Sequence, residues 1–489
     1  MRYFYYIIIL FVAFISSLDG YTKTVSPIDY GFLKAVSGEE RYEILYKTHM
    51  EALKIGADVD YSGIKIIELV VPHNAKSIPL TDSTNFRGAV FIVKNRQKDI
   101  YLFTFIAESV AIAVNKKVFG KSKRNISELA RKSVLLSITD KTPWVKNRRG
   151  YSYGATRKDI IVVKNGIMKN LPVMPYNNVA SNPKCGVYTL STKRKTFKNV
   201  KLIRSADSDH KTFLLRVEGQ YNMLIAYVCI TTPNNTLNAD AAIKIDNSAK
   251  VVFRDVTING TYSQTKKYGY GISLDNVYDV SFVRLKTAAN WGVFGNNNVQ
   301  KVVLEDCDIN RFDIHCYGKD VYCKNTIFRD LYNQYSSFYG TLRYENCKFL
   351  DFVPVLFESS YSAYTYFKLE IENCSIDVDA RRPYLIYAGN PSLLAEEPRQ
   401  ELVNAYWPDI EIKNLTVNLP EEVKNWTLFQ TNAQDGVSID GLSNIKVEGL
   451  EVLGQVKRPK VRLSNRKVTL KKMLETKVLD SNIKTIESN

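Results

Sequence analysis

The sequence predicts an all-β solenoid, and three observations carry that prediction. A short phrase recurs along the chain at spacings of 19 to 29 residues. Within the copies apolar and polar residues alternate around a central residue that is Asn or Asp in six of eight, and several cysteines fall at one phase of the phrase. The copies begin with Phe197-Lys198-Asn199-Val200-Lys201-Leu202 and Ile225-Ala226-Tyr227-Val228-Cys229-Ile230, then Phe253-Arg254-Asp255-Val256-Thr257-Ile258 and Phe282-Val283-Arg284-Leu285-Lys286-Thr287. They continue through Leu304-Glu305-Asp306-Cys307-Asp308-Ile309, Cys323-Lys324-Asn325-Thr326-Ile327-Phe328, Tyr344-Glu345-Asn346-Cys347-Lys348-Phe349 and Ile371-Glu372-Asn373-Cys374-Ser375-Ile376. From central residue to central residue the steps are 28, 28, 29, 22, 19, 21 and 27, with weaker copies around Asn414 and Gly449. Each copy reads as two short strands around a bend. Asn and Asp suit the bend because they tolerate left-handed backbone angles. The Val, Ile, Phe and Tyr content and the period of two exclude a helical solenoid. One coil cannot bury its own inner face, so stacking must supply the core.

The elements follow in chain order. Met1-Arg2, an apolar run from Tyr3 to Ile15 and the small residues before Gly20 read as a secretory leader over residues 1–20. The run falls short of the ~20 apolar residues that a membrane span needs. The expected mature protein is therefore soluble and secreted, periplasmic or extracellular, without a membrane span. Next, Ile28-Asp29-Tyr30-Gly31 opens an N-terminal cap. A helix is expected over about residues 39–55, with Ile44, Leu45, Thr48, Ala52 and Leu53 on one stripe, and a strand from Ile66 to Pro72. Residues 86–195 are less periodic, carry the basic clusters Lys146-Asn147-Arg148-Arg149 and Lys193-Arg194-Lys195, and are read as early coils with long loops. One solenoid domain is thus expected over residues 21–455. A basic tail or cap follows over 456–489, with a helical look near residues 471–478.

Composition bounds the function. The 489 residues hold 67 Lys+Arg against 50 Asp+Glu, for a net charge of +17 and a pI near 9.3. At 45% hydrophobic and 24% charged the chain can bury a large core, which excludes disorder and a multi-span membrane protein. The charge favours polyanions without choosing among them. The basic tail lacks interleaved aromatics, so no nucleic-acid partner is expected. Cys307, Cys347 and Cys374 share one inward slot with Val200, Val228, Val256, Leu285, Thr326 and Leu415, and Cys323 shares another with Phe282 and Leu304. They read as buried apolar thiols and not as metal ligands or disulfides. Signatures of phosphate loops, dinucleotide binding, zinc sites and serine nucleophiles are missing.

The segment from residue 28 to 72, followed by the coils, resembles the pectin-lyase-like right-handed parallel β-helix superfamily. The resemblance covers most of residues 26–455, and departs from the superfamily pattern at residues 32–38, where a Gly-Asp-rich loop is replaced by Phe32-Leu33-Lys34-Ala35-Val36-Ser37-Gly38. It implies a right-handed coil with an N-terminal capping helix. The superfamily spans lyases, hydrolases, epimerases, phage tailspikes and adhesins, so the fold alone assigns no reaction. In it, one sheet commonly forms the substrate cleft.

On that sheet the alternation predicts an outward column of Arg216, Lys244, Ser273, Phe294, His315 and Ser337. A second column holds Leu214, Ala242, Gly271, Gly292, Asp313 and Tyr335. Arg216, Lys244, Ser273, Phe294, Tyr335 and Ser337 are the expected substrate contacts. In Arg311-Phe312-Asp313-Ile314-His315 the two apolar residues point inward, so Arg311, Asp313 and His315 are expected to share an exposed stripe, beside room left by Gly271, Gly292 and Ser273. His315 could move a proton near neutral pH, Asp313 could orient it or act as an acid, and Arg311 could neutralise a carboxylate or sulfate. An exposed structural salt bridge reads equally well.

Two enzymatic schemes and one non-enzymatic scheme follow. A lyase acting on an acidic polysaccharide would use His315 with Arg311, Arg216 and Lys244, with Ca²⁺ as an optional cofactor. A glycoside hydrolase would need two carboxylates, with Asp313 and Asp275 as the pair. Asp246, Asp275 and Glu218 share a pre-turn slot, which also suits turn residues. The Asp-rich Ca²⁺ cluster of pectate lyases and the paired-Asp motifs of polygalacturonases are not recognisable. A glycan-binding or surface β-helix without catalysis remains the alternative, and Tyr361, Tyr364, Tyr366 and Phe367 supply an aromatic run for it.

Overall fold

The computed structural model describes residues 23–97, 100–120, 124–145, 155–174, 176, 181–191, 193–209, 212–233, 241–260, 269–315, 317–336, 338–357, 366–388, 409–431, 445–454, 460–464 and 486–488. The leader, the cluster at residues 146–149, Ser337, the side chains of the run at residues 361–367 and the segment at 471–478 lie outside this set.

Parallel strands stack coil upon coil, and the repeat sets their register. Val200 lies beside Val228, and Val228 beside Val256. Lys286, Asp308, Ile327, Lys348 and Ser375 then follow one another from strand to strand. The weak copies are genuine coils, because Cys374 pairs with Leu415 and Leu415 with Leu450. Every expected bend residue takes a left-handed backbone: Asn199, Tyr227, Asp255, Arg284, Asp306, Asn325, Asn346 and Asn373, then Asn414 and Gly449. Several bends are tied to their neighbours by side-chain hydrogen bonds, such as Asn346 Nδ2 to Asn325 Oδ1 at 3.2 Å and Asn414 Nδ2 to Asn373 Oδ1 at 2.9 Å. Bends that would each cost strain alone are thereby held by the coil beside them.

The inward columns fuse into one core that runs from Tyr42 and Leu45 to Leu450. Cys307, Cys323, Cys347 and Cys374 are buried in it as free thiols. Burial pushes the Cys307 thiol up to about 12 and Cys323 well above its ordinary value.

The helix spans Gly38–Ile55, starting where Ser37 Oγ accepts from the Glu40 amide at 3.0 Å and ending at Gly56 in the left-handed region. Its buried face is Tyr42, Leu45, Thr48, His49 and Ala52, and it lies against the strand Ile66–Val71. Leu53, expected on that face, is 42% exposed, because the face passes through His49 and Ala52 instead.

The region read as early coils differs most from expectation. Coil strands occur at Ser83–Asn95 and Ile100–Ile106. After them the chain builds a separate antiparallel sheet from Val110–Ile112, Val134–Val145, Ala155–Lys164, Ile167–Met168 and Lys184–Thr189, before re-entering the coils at Lys195–Arg204. This sheet sits on a ladder of turn residues, buried at Asn276 and Asn298 and half-buried at Asn247: Asn298 Nδ2 donates to Asn276 Oδ1 (2.7 Å), Asn276 Nδ2 to Asn247 Oδ1 (2.8 Å), and Ser137 Oγ reaches Asn247 Oδ1 (3.1 Å). Asp159 on the sheet is fully buried and accepts from the Val173 and Met174 amides, the Tyr176 hydroxyl and Gln300 Nε2 of a coil. Its carboxyl is nonetheless raised to about 7, since burial outweighs those donors. No described helix is long and apolar enough to cross a membrane.

Candidate functional site

The outward face bears the expected column over four coils. Arg216 lies beside Lys244, Lys244 beside Ser273, and Ser273 beside Phe294. All four are half-buried. The next member is Asp313, followed by Gln334. His315, expected at that place, stands two residues further on, where its amide donates to the Gly295 carbonyl at 2.8 Å. Phe312, not Ile314, takes the inward place next to Val293.

Tyr335 faces the opposite way from expectation. It pairs with Ile314, is fully buried in the core, and shares a hydrogen bond of 2.9 Å with the Tyr344 hydroxyl, so it is no surface contact. A one-residue change of register flips a side chain to the other face of a strand. The room expected above Gly292 is also taken: its φ is +74°, and a Cβ there would meet the Arg311 carbonyl at 2.2 Å.

Arg311, Asp313 and His315 do come together, but not as an exposed stripe. The Arg311 and Asp313 side chains are 4% and 0% exposed and form a direct ion pair. The Tyr270 hydroxyl closes over it, donating to Asp313 Oδ2 at 2.6 Å and accepting from Arg311 Nη2 at 2.6 Å. The Gln334 amide donates to Asp313 Oδ1 at 3.0 Å. Three rings box the guanidinium, with Trp291, Tyr332 and Tyr270 at 4.5, 5.1 and 5.3 Å. Burial pushes the Asp313 carboxyl up, against the pull of Arg311 and the Tyr270 and Gln334 donors. Tyr270 is raised well above its ordinary value by burial and by Asp313.

His315 is the ionisable member that reaches the surface, with its side chain 12% exposed. Its Nε2 lies 3.2 Å from the Tyr270 hydroxyl and 3.9 Å from Asp313 Oδ2. The Tyr270 proton goes to Asp313 and one lone pair receives Arg311, so the remaining lone pair accepts from a protonated His315 Nε2. Phe294 lies edge-on to the imidazole at 4.5 Å and stacks on Tyr270 at 4.5 Å with 18° between planes. The result is an aromatic edge with one imidazole at its end and a neutralised ion pair behind it.

The other candidates are occupied differently. Asp275, proposed as partner carboxylate to Asp313, is gripped by Lys158 Nζ at 3.0 Å through both oxygens and receives Asn296 Nδ2 at 3.2 Å. Its strand neighbours are Asp246 and Asn297, so it shares no column with Asp313. Arg216 pairs with Glu218 at 2.7 Å and with Asp246 at 3.4 Å, and Lys244 pairs with Asp246 at 3.4 Å. No group of three or more His, Cys, Asp or Glu among the described residues is placed to hold a metal ion.

Sequence reasoning missed Tyr270, Trp291, Tyr332, Gln334 and Lys158. Tyr270 shares the parity of inward Ile272 and Leu274, so alternation sends it into the core. It escapes because the chain turns a corner there, where the Trp291 amide donates to the Gly269 carbonyl at 2.8 Å.

No protein-family model matches the sequence, and no curated protein matches it. Among solved structures the chain is similar to the tailspike protein gp49 of Pseudomonas phage LKA1, at 11% identity over 88% of this chain and 76% of that one, with a TM-score of 0.46. It is also similar to the gp54 tailspike of Acinetobacter baumannii bacteriophage AP22, solved in complex with A. baumannii capsular saccharide, at 7% identity over 90% and 72%, with a TM-score of 0.48. A third similar structure is the tailspike gp61 of Pseudomonas phage phi297, at 10% identity over 91% and 84%, with a TM-score of 0.46.

Proposed function

We propose that this chain is an exported, polysaccharide-active β-solenoid that binds an acidic glycan along Arg216, Lys244, Ser273 and Phe294 and cleaves it beside His315. The coils are taken as right-handed, as parallel crossovers are, and the chain as pectin-lyase-like. One observation carries the reading: a partly exposed imidazole is fixed against Phe294 and Tyr270 by a buried Arg311–Asp313 pair. Sugar rings pack on half-exposed aromatic side chains such as Phe294.

Elimination suits the site better than hydrolysis. In β-elimination at a uronate, a base takes the proton beside the carboxylate, the C–O bond to the leaving sugar breaks, and the departing oxygen gains a proton. His315 would be the base, through Nδ1 because its Nε2–H is directed at Tyr270, while Arg216 and Lys244, about 19 and 14 Å away along the stack at ~4.8 Å per strand, would hold carboxylates of neighbouring sugars and not the reacting one. Arg311 and Asp313 do not touch the glycan in this scheme; they are positioning residues. A hydrolase would need two accessible carboxylates flanking the bond. Asp313 is fully buried and Asp275 is held by Lys158, which disfavours that pair.

A second reading is favoured by one observation. Arg216, Lys244, Asp275, Arg311 and Asp313 all have ion-pair partners within the chain, as residues of a non-catalytic glycan-binding surface would.

The test is an assay of the protein on acidic and neutral polysaccharides, following ultraviolet absorbance of unsaturated products and reducing ends in parallel. Absorbance that rises with wild type and falls roughly 10²- to 10⁴-fold in His315→Gln supports elimination. Reducing ends without absorbance would overturn it in favour of hydrolysis, and binding without either signal would favour the second reading.

A further inference from the structure

We infer that the ridge of left-handed bends from Asn199 to Gly449 is an interface for a second copy of this chain running in the opposite direction. The ridge carries none of the residues of the proposed reaction, so the two readings stand apart.

One row of outward residues stands a single place before the ten bends, paired from strand to strand. Lys198, Arg254, Glu305, Lys324, Glu372 and Glu448 are its first, third, fifth, sixth, eighth and tenth members. Ala226, Val283, Glu345 and Lys413 fill the other places. A two-fold axis in the interface turns the second copy end for end, so the first place meets the tenth, the third the eighth and the fifth the sixth. Lys198 then faces Glu448, Arg254 faces Glu372, and Glu305 faces Lys324. The two remaining matches, Ala226 with Lys413 and Val283 with Glu345, hold one charge each, so like charges never meet along this row.

A second row lies three residues further on, beyond the bends. There Lys201 faces Glu451, and Lys286 faces Lys348 as the one like-charged match. Two copies running in the same direction would instead set Lys198 against Lys201 and Glu305 against Asp308, which repel. The charges that match are available: among the described residues Glu372 alone of these is already in an ion pair, with Arg343 at 3.0 Å. Tyr227 at the second bend is 55% exposed, although its φ of +55° is unfavourable for an aromatic residue, and an exposed Tyr suits an interface anchor.

At ~4.8 Å per strand the ridge is about 43 Å long, and the strip from Thr196 to Lys201 is about 17 Å wide at ~3.3 Å per residue. The covered area is then about 700 Å² per copy, in the lower part of the range for specific interfaces, so the dimer should be weak and sensitive to salt.

Sedimentation velocity of the full chain tests the interface. Wild type should dimerise at about 50 mM salt and dissociate by about 0.5 M, where exposed charges are screened. Lys198→Glu/Lys201→Glu and Glu448→Lys/Glu451→Lys each set like charges against one another at both ends, and each should weaken the dimer about tenfold or more. Mixed in equal amounts, the two variants regain opposite charges at both ends and should form a heterodimer as tight as wild type. Lys201, Glu448 and Glu451 are exposed and Lys198 is half-buried, so folding should survive, which circular dichroism checks. A wild type that stays monomeric at low salt, reversal variants that dimerise as well as wild type, or a mixture no tighter than its components would each overturn the interface.

Discussion

Replacing Arg311 by Leu should expose how the site is held. The guanidinium is 4% exposed and its partner Asp313 is 0% exposed, so the variant strands a carboxylate with only the Tyr270 hydroxyl and the Gln334 amide as donors. Breaking a buried pair from one side costs about 3–5 kcal/mol, most of it the uncompensated charge. The sign of the pH dependence follows from the raised carboxyl. A folded-state pKa above the unfolded value gives stability that is full at low pH and is lost as pH rises through the folded pKa. Removing Arg311 raises it further, so the deficit should be largest at neutral pH and shrink as pH falls below the folded-state pKa, where the carboxyl is neutral in both folded proteins. Arg311→Leu/Asp313→Leu removes both charges and should recover to within about 2 kcal/mol of wild type. Urea denaturation followed by tryptophan fluorescence checks this, since Trp291 lies 4.5 Å from the guanidinium. A single variant within about 1 kcal/mol of wild type at pH 7, or a double variant no better than the single, would refute the reasoning.

Three further outcomes follow from the fold. Asn276→Ala loses the hydrogen bonds to Asn247 and Asn298 and places Ala at φ +58°, so it should cost about 3 kcal/mol and loosen the antiparallel sheet, as read by limited proteolysis. Asp159, raised to about 7, should stabilise the sheet's docking less as pH rises through about 7, and Asp159→Asn should flatten that profile in hydrogen exchange of residues 155–164. Among the described cysteines, half-buried Cys229 should react with maleimide in the native protein while Cys307, Cys323, Cys347 and Cys374 do not, and native labelling of any of those four would contradict the core register.

The coils were legible because most bends carry their own mark, and the constant phase carries the two at Tyr227 and Arg284 that do not. Asn199, Asp306, Asn325, Asn346 and Asn373 sit where a left-handed residue is needed, and inward Val200, Val228 and Val256 follow at constant phase. The site was legible only in part. Moving His315 to the place of Asp313 is a two-residue slip, which keeps every apolar residue inward and so leaves no trace in the alternation. Tyr335 gave no parity signal, because Tyr suits either face. The antiparallel sheet lacks any repeat, and its contact with the coils depends on single polar residues such as Lys158, Asp159 and Gln300.

The most direct test of the central claim is calorimetric titration of an acidic oligosaccharide into wild type and Phe294→Ala. Phe294 is half-buried at the aromatic edge, stacked on Tyr270 and touching His315. Binding at least about tenfold weaker in the variant, at a temperature where its thermal melt shows it fully folded, is the predicted result. Equal affinity in the two proteins would place the glycan elsewhere and contradict the account.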